Sequence, residues 1–315
     1  MGDINHILAE SPDVKGLLSG IGEQQVHLVT GLAGSARTLV INAILEKKKR
    51  PIIIITHNLF HAQQLLEDFS GFVAEEDLHL FPVEEMLYAE MSVSSPEART
   101  ERVAALDFLL SEKPGIVIVP LAGVRKLLPP KKVWENARFK VQQGNELNVT
   151  GMAQKLVDMG YVRQQLVGSP GEFSIRGGII DIYPLTEEHP IRIDLFDVEV
   201  DSLRFFDADN QRSIKNIESI TILPATDTLY TQDLLQSAAP RFSKAVEHNV
   251  ALLKDADAKQ TFTQYITPIM DAFDKGEPMD QLALFTDYVY YESVSILDYI
   301  SEKSLVILDE YPRIM

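Results

Sequence analysis

The segment 31-GLAGSART-38 lies between the apolar run 26-VHLVT-30 and the helical pattern 39-LVINAIL-45. A phosphate-binding loop reads Gly, four residues, Gly, Lys, then Ser or Thr. Its glycines let backbone N–H groups wrap the phosphates, its lysine reaches the β- and γ-phosphates, and its hydroxyl ligates Mg²⁺. Gly31 and Thr38 fit this pattern and Gly34 adds backbone freedom. Ala36 replaces the second glycine, so a methyl group stands where backbone must approach phosphate. Arg37 replaces the lysine; it keeps the charge but carries it on a longer, planar fork. Far along the chain, 304-SLVILDE-310 ends an apolar run on Asp309 and Glu310, the form of a Mg²⁺-binding acidic pair. Gly31, Gly34, Ala36, Arg37, Thr38, Asp309 and Glu310 together describe a vestigial nucleotide site, with weak or absent nucleotide binding expected. The plainer reading is a tight strand–helix turn built from Gly and Ser, with a common acidic pair elsewhere.

Other chemistry-bearing residues carry less. His57 and His61 have helical spacing that suits a metal, but the sequence shows no third ligand, so no metal site is expected. Asp194, Asp197 and Glu199 could be read as a carboxylate group, yet strand alternation separates their side chains and a solvated edge is the simpler reading. No Ser–His–Asp arrangement can be inferred, and no catalytic residue is assigned. The single tryptophan, Trp134, is expected to be a packing anchor, and 46-EKKKR-50 a solvated helix end whose cations suit the dipole.

Composition sets outer limits. At 315 residues the chain is expected to hold two or three domains, and 45% hydrophobic residues suffice for buried cores. There is no cysteine, which excludes disulfides and Cys-ligated metals. The formal charge of −17 is the opposite of a nucleic-acid footprint and favours basic partner surfaces. No apolar run is long enough to span a membrane, and 1-MGDINHILAE-10 lacks the form of a secretory leader.

Elements must position these residues. Strands are expected at 26–30, 51–56, 78–82 and 116–120, with helices at 38–48, 58–72 and 95–110 between them; this alternation predicts a parallel sheet with helices on its faces. Asn58 and the Ser-Pro start at 95 mark helix beginnings. After Pro120 the pattern changes to one helix over 151–161, ended by Gly160, and short alternating strands at 172–177, 179–184, 190–196, 199–207 and 217–224. Gly177 and Gly178 are expected to serve a turn or a close backbone approach. Residues 231–256 and 259–273 read as helices, and 304–310 as a final strand. The fold class is therefore α/β: a degenerate P-loop (RecA-like) parallel-sheet domain split by an inserted α+β domain with a mainly antiparallel sheet. The expected domains are 1–122, the inserted 123–224, and 225–315, a mostly helical second part of the P-loop-like domain that ends in the Asp-Glu strand.

The run 171-GEFSIRGGIIDIYP-184, followed by 192-RIDLFDVEVDSL-203 and 296-ILDYISEKSLVILDE-310, resembles the N-terminal module of bacterial transcription-repair coupling factor, itself similar to excinuclease component B. The resemblance covers essentially the whole chain. It implies loss of ATP hydrolysis, because Arg37 stands where excinuclease component B has lysine. It implies loss of DNA clamping, because the tract 81-FPVEEMLYAEMSVSSPE-97 is short, acidic and has one tyrosine. It implies a non-catalytic recruitment module that binds excinuclease component A through Arg163, Phe173, Arg176, Arg192 and Asp194, with Ser174 where the family has another arginine. The full-length family protein is an ATP-dependent DNA translocase. The resemblance places its ATP and Mg²⁺, its RNA polymerase and double-stranded DNA contacts and a C-terminal masking domain outside this chain, and implies no cofactor here and a cytoplasmic location. Two rivals stand: a weak nucleotide-binding or ATPase core using Arg37, Thr38, Asp309 and Glu310, and a DNA-binding clamp like excinuclease component B.

Overall fold

The computed structural model describes residues 11–22, 26–83, 95–277, 279–292 and 294–314; most of the acidic tract 81–97 lies outside them. Helix α1 (Pro12–Gly20) starts on Ser11, whose Oγ accepts the Val14 N–H. Gly34, at φ 52°, opens α2 (Ser35–Lys48), which begins three residues earlier than its apolar pattern and so includes Ala36 and Arg37. Strand β1 (Pro51–Thr56) leads to α3 (Leu59–Ser70), whose first turn donates the His61 N–H to the Asn58 side chain at 2.8 Å. Then come β2 (Leu78–Leu80), α4 (Pro96–Ser111) and β3 (Gly115–Pro120). The middle of the chain forms β4 (Phe139–Gln142), α5 (Val149–Asp158), β5 (Val162–Arg163), β6 (Glu172–Arg176), β7 (Ile179–Ile182), β8 (Ile191–Phe196), β9 (Glu199–Phe206), β10 (Ser213–Asn216) and β11 (Ser219–Ile222). Helices α6 (Gln232–Leu252) and α7 (Ala256–Lys275) follow, then β12 (Leu305–Leu308) and a helical turn, Tyr311–Ile314.

The described residues fall into two compact units. The first is drawn from Met1–Leu87, Ala104–Lys126 and Ser295–Met315, the second from Tyr88–Val103 and Leu127–Val294. The first unit holds a parallel sheet in the order β12-β1-β3-β2. Every residue of β1 and β3 is buried, as unbroken β-branched runs require when both faces are covered. Ile52, Ile54, Ile116 and Ile118 enter one core with Val40, Ile41 and Ile44 of α2 and Leu65 and Phe69 of α3. Ile53, Ile55, Val117 and Val119 are equally buried on the opposite face. The expected strand at 26–30 does not form: Val26 is 101% and Leu28 83% exposed. Apolar β-formers make a strand only where a ladder partner and a covered face await them, and 26–30 meets neither.

The second unit holds a six-stranded sheet in the order β10-β9-β8-β7-β6-β5, antiparallel except for the β5–β6 pair. The β4–β11 ribbon and α5 pack with it over Phe173, Ile180, Ile182, Ile191, Ile193, Val200 and Leu203. Gly177, at φ 62°, makes the β6–β7 turn, and a Cβ on Gly178 would lie 2.9 Å from the Leu195 carbonyl oxygen, so this hairpin needs both glycines. Trp134 is fully buried. Helices α6 and α7 bury Leu235, Phe242, Ile266, Ile269 and Phe273 against each other and against Leu282 and Val289. Their apolar stripes are therefore consumed within the second unit. The helical tract groups there, and not with the first unit, with which the sequence reading of 225–315 places it; only Ser295–Met315 returns to the first unit.

Gly115 at the start of β3 has no room for a side chain: an added Cβ would meet the Asp77 carbonyl oxygen at 2.5 Å and Phe108 Cζ at 2.4 Å. Because the first neighbour is backbone, Gly115→Ala must shift β2 against β3. The expected loss is about 1–3 kcal/mol, the range of overpacked cores, read as a lower urea midpoint at unchanged slope.

Candidate functional site

Two groups of polar side chains stand out, one in each unit. In the first, the parallel register Ile55↔Leu308 makes β1 and β12 leave the sheet side by side, which brings Asp309 to Arg37 across 272 residues of sequence. Arg37 Nη1 donates to both carboxylate oxygens, at 3.1 and 3.0 Å. His61 Nε2 lies 2.7 Å from Asp309 Oδ2 and 3.5 Å from Arg37 Nη1. Asp309 is only 5% exposed, and its N–H bonds to the Ile55 carbonyl at 2.9 Å. The Arg37 guanidinium is thus committed to the Asp309 carboxylate. Thr38 is fully buried and its Oγ1 has no hydrogen-bond partner among the described residues. Gly31 and Gly34 keep positive φ, 82° and 52°, on an exposed turn, with Ala36 in the first turn of α2. Glu310 Oε2 lies 3.0 Å from Arg313 Nη1 and 3.8 Å from His57 Nδ1.

In the second unit, cross-strand register builds a polar face. Ser174, Asp181, Arg192 and Arg204 form one row across β6, β7, β8 and β9, and Arg176, Ile179, Asp194 and Ser202 form the next. Asp181 is its centre. It is 1% exposed and accepts from Arg176 Nη2 at 2.6 Å and from Arg192 Nε and Nη2 at 2.7 and 2.9 Å. Arg192 lies over the Phe206 ring, 4.3 Å from its centroid, and also donates to Gln211 Oε1 at 2.8 Å. Its hydrogen bonds to Asp181 raise the guanidinium pKa above its ordinary value, against the opposing effect of burial. Asp194 accepts from Arg204 and Ser202. Arg176 keeps 40% of its side chain in solvent while Nη2 is fixed by Asp181 and Nη1 donates to the Gln165 carbonyl at 3.3 Å.

The residues singled out in the sequence divide on this face. Arg176, Arg192 and Asp194 come together on it. Phe173 does not: it is fully buried on the opposite, apolar side, in register with Ile182. Arg163 is exposed on the edge strand β5, in register with Phe173 instead of with the arginine row. Ser174 is 1% exposed and donates to the Gln165 carbonyl at 2.9 Å, so an arginine there would require this spot to open. Sequence reasoning misses Asp181 as a site residue. Its signal is a lone carboxylate inside the apolar run 179-IIDI-182, a position that only a buried cation partner makes tolerable.

Residues 139–227 match the UvrB interaction domain. The whole chain is 37% identical, over 315 residues, to the transcription-repair-coupling factor of Bacillus subtilis (strain 168), covering 100% of this chain and 27% of that protein. Along its whole length the chain is similar to part of a transcription-repair-coupling factor. It is also 36% identical over 296 residues to the transcription-repair-coupling factor of Staphylococcus haemolyticus (strain JCSC1435), and 36% identical over 300 residues to that of Staphylococcus aureus (strain MRSA252). These matches cover 93% and 94% of this chain and 25% of each relative. The chain thus spans about a quarter of the length of these coupling factors. The Asp181 face lies wholly within the UvrB interaction domain, and the Arg37–Asp309 pair wholly outside it. Among the described residues no helix is long and apolar enough to cross a membrane.

Removing Asp181 leaves Arg192 buried without its carboxylate. Asp181→Ala is expected to cost ~3 kcal/mol, the lower end for breaking a buried ion pair from one side. Urea unfolding followed by circular dichroism measures it; a loss under about 0.5 kcal/mol, typical of surface substitutions, would show that the cluster does not organise the sheet.

Proposed function

We propose that this chain is a non-catalytic recruitment module of a transcription-repair coupling factor. It binds excinuclease component A (UvrA) through the polar face of its UvrB interaction domain and so brings nucleotide excision repair to a stalled RNA polymerase. The observation that carries this reading is the arginine pair organised by buried Asp181. Arg176 and Arg192 are held in one orientation before any partner arrives, and the Arg176 side chain stays 40% exposed, its Nη1 engaged only by the longer 3.3 Å bond to the Gln165 carbonyl. A pre-ordered arginine loses little rotamer freedom on pairing with a partner carboxylate and fixes its direction. Arg163 and Asp194 supply flanking charge, and Phe173 acts from below as core support for the strand that carries Arg176.

The first unit is read as a P-loop (RecA-like) domain that has given up nucleotide chemistry. A phosphate would have to compete with Asp309 for Arg37, and a Mg²⁺ ion would have to displace Arg37 from Asp309. The ATPase activity, the ATP and Mg²⁺ sites, the RNA polymerase and double-stranded DNA contacts and a masking C-terminal domain belong on this reading to the remaining three-quarters of the coupling factor, in the cytoplasm. The rival nucleotide-binding reading rests on the open glycine turn and the unpartnered Thr38 hydroxyl.

The test is calorimetric titration of UvrA into the wild type, the Arg176→Ala variant and an Arg50→Ala control on the other unit. The wild type and Arg50→Ala should bind alike, and Arg176→Ala at least tenfold more weakly, a difference of about 1.4 kcal/mol. Equal binding by Arg176→Ala would move the partner site off this face, and no binding by the folded wild type would sink the recruitment role. ATP titrated in the same cell should give no heat; saturable heat abolished by Arg37→Ala would favour the nucleotide-binding rival.

A further inference from the structure

The paired exit of β1 and β12 gathers more than Arg37 and Asp309. His57 sits between β1 and the cap residue Asn58, so it lies outside α3 and the helical spacing read from sequence does not apply; His61 is in the first turn of α3. Glu310, just beyond β12, turns back at φ 54°. One ligand atom from each of His57, His61 and Glu310 lies within 4.8 Å of the other two. His57 Nδ1 is 3.8 Å from Glu310 Oε2, and the two imidazole rings are 5.0 Å apart between centroids. The third ligand that the sequence did not show is therefore supplied from the far end of the chain.

Three features separate this group from a chance surface cluster. First, His57 Nδ1 is shielded from solvent and has no hydrogen-bond partner; a buried polar atom left unpaired is costly, and an ion would satisfy it. Second, His61 is already oriented by the 2.7 Å contact with Asp309, which Arg37 holds in turn. A carboxylate on the histidine is the usual second partner of an imidazole metal ligand. Third, the charges balance: Arg37 neutralises Asp309, so Glu310 supplies the net negative charge beside two imidazoles. Its competing partner Arg313 is 64% exposed, and exposed pairs of this kind are weak.

We propose that His57, His61 and Glu310 form a site for a divalent transition-metal ion, zinc by preference, at the C-terminal edge of the parallel sheet. Two imidazole nitrogens and one carboxylate oxygen favour zinc, cobalt or nickel over magnesium or calcium, which prefer all-oxygen shells. Bonds of about 2.0–2.1 Å set tetrahedral ligand atoms roughly 3.3 Å apart. The present spacing must contract by about 1 Å or somewhat more, within reach of a rotation of Glu310, whose side chain is 36% exposed. A fourth position is left for water. The ion would clamp the β1–α3 turn to the end of β12, next to the vestigial nucleotide site and independently of the partner face.

The test uses the 315-residue chain, stripped with a chelator, and titrates it with zinc chloride in a calorimeter. One equivalent should bind, at least tenfold more weakly in His57→Gln and in Glu310→Gln, with circular dichroism reporting that both variants are folded. Zinc should raise the melting temperature of the wild type only. Cobalt(II) added to the wild type gives a readout independent of the variants: intense visible absorption of a tetrahedral nitrogen–oxygen site is expected. Uptake that is unsaturable, of equal strength in both variants, or accompanied by only the pale octahedral spectrum of hydrated cobalt would overturn the proposal.

Discussion

Strand β1 has to be paired on both edges. All six of its residues are buried, so an unpaired N–H or carbonyl on either side would be cut off from water as well as from protein. One neighbour, β3, arrives at residue 115; the other, β12, arrives only after residue 304. The chain is obliged to return. Everything from 127 to 294 is therefore an excursion with fixed ends, and it must bury its own apolar surface. It does so in two separate cores, one under the six-stranded sheet and one between α6 and α7. This obligation also fixes where chemistry can collect. Parallel strands that exit together present their following residues at one edge, so the ends of β1 and β12 deliver His57, His61, Asp309 and Glu310 to one place.

The two arginine–aspartate groups show how exposure turns the same chemistry to different ends. Arg37 and Asp309 are both largely buried, and Arg37 Nη1 donates to both carboxylate oxygens. Each occupies capacity that another ligand would need, so the pair is a tie between distant parts of the sequence. Asp181 is buried just as deeply but holds two arginines, and two guanidinium groups have more donors than one carboxylate can accept. The surplus goes to neighbours on the same unit: Arg192 donates to Gln211 Oε1 and Arg176 to the Gln165 carbonyl, while the Arg176 side chain stays 40% exposed.

Strand alternation gives one sheet an apolar packing side and a polar side. Phe173, Ile175, Ile180, Ile182, Ile191 and Ile193 form the apolar side, and Ser174, Arg176, Asp181, Arg192 and Asp194 the polar side, on the same three strands. A change on either side is felt through the shared backbone. This is why Phe173 can matter to a polar face that it never reaches.

Much of this was present in the sequence because the relevant periodicities are local. Unbroken β-branched runs required strands covered on both faces, alternation required a sheet with one polar side, and Asn58 and Gly177 marked a cap and a turn through chemistry that involves only near neighbours. The run around 171–184 was specific enough to give the resemblance. Tertiary structure decided what depends on partners remote in sequence. The apolar segment 26–30 found no ladder and stayed exposed, and the helices after 231 turned their stripes on each other. A lone aspartate in 179-IIDI-182 became the centre of a cluster, and Glu310 met two histidines some 250 positions away. Propensity states what a segment can form. Only the pairing of distant strands determines which side chains share a low-dielectric site, and thus which charges are free to bind anything else.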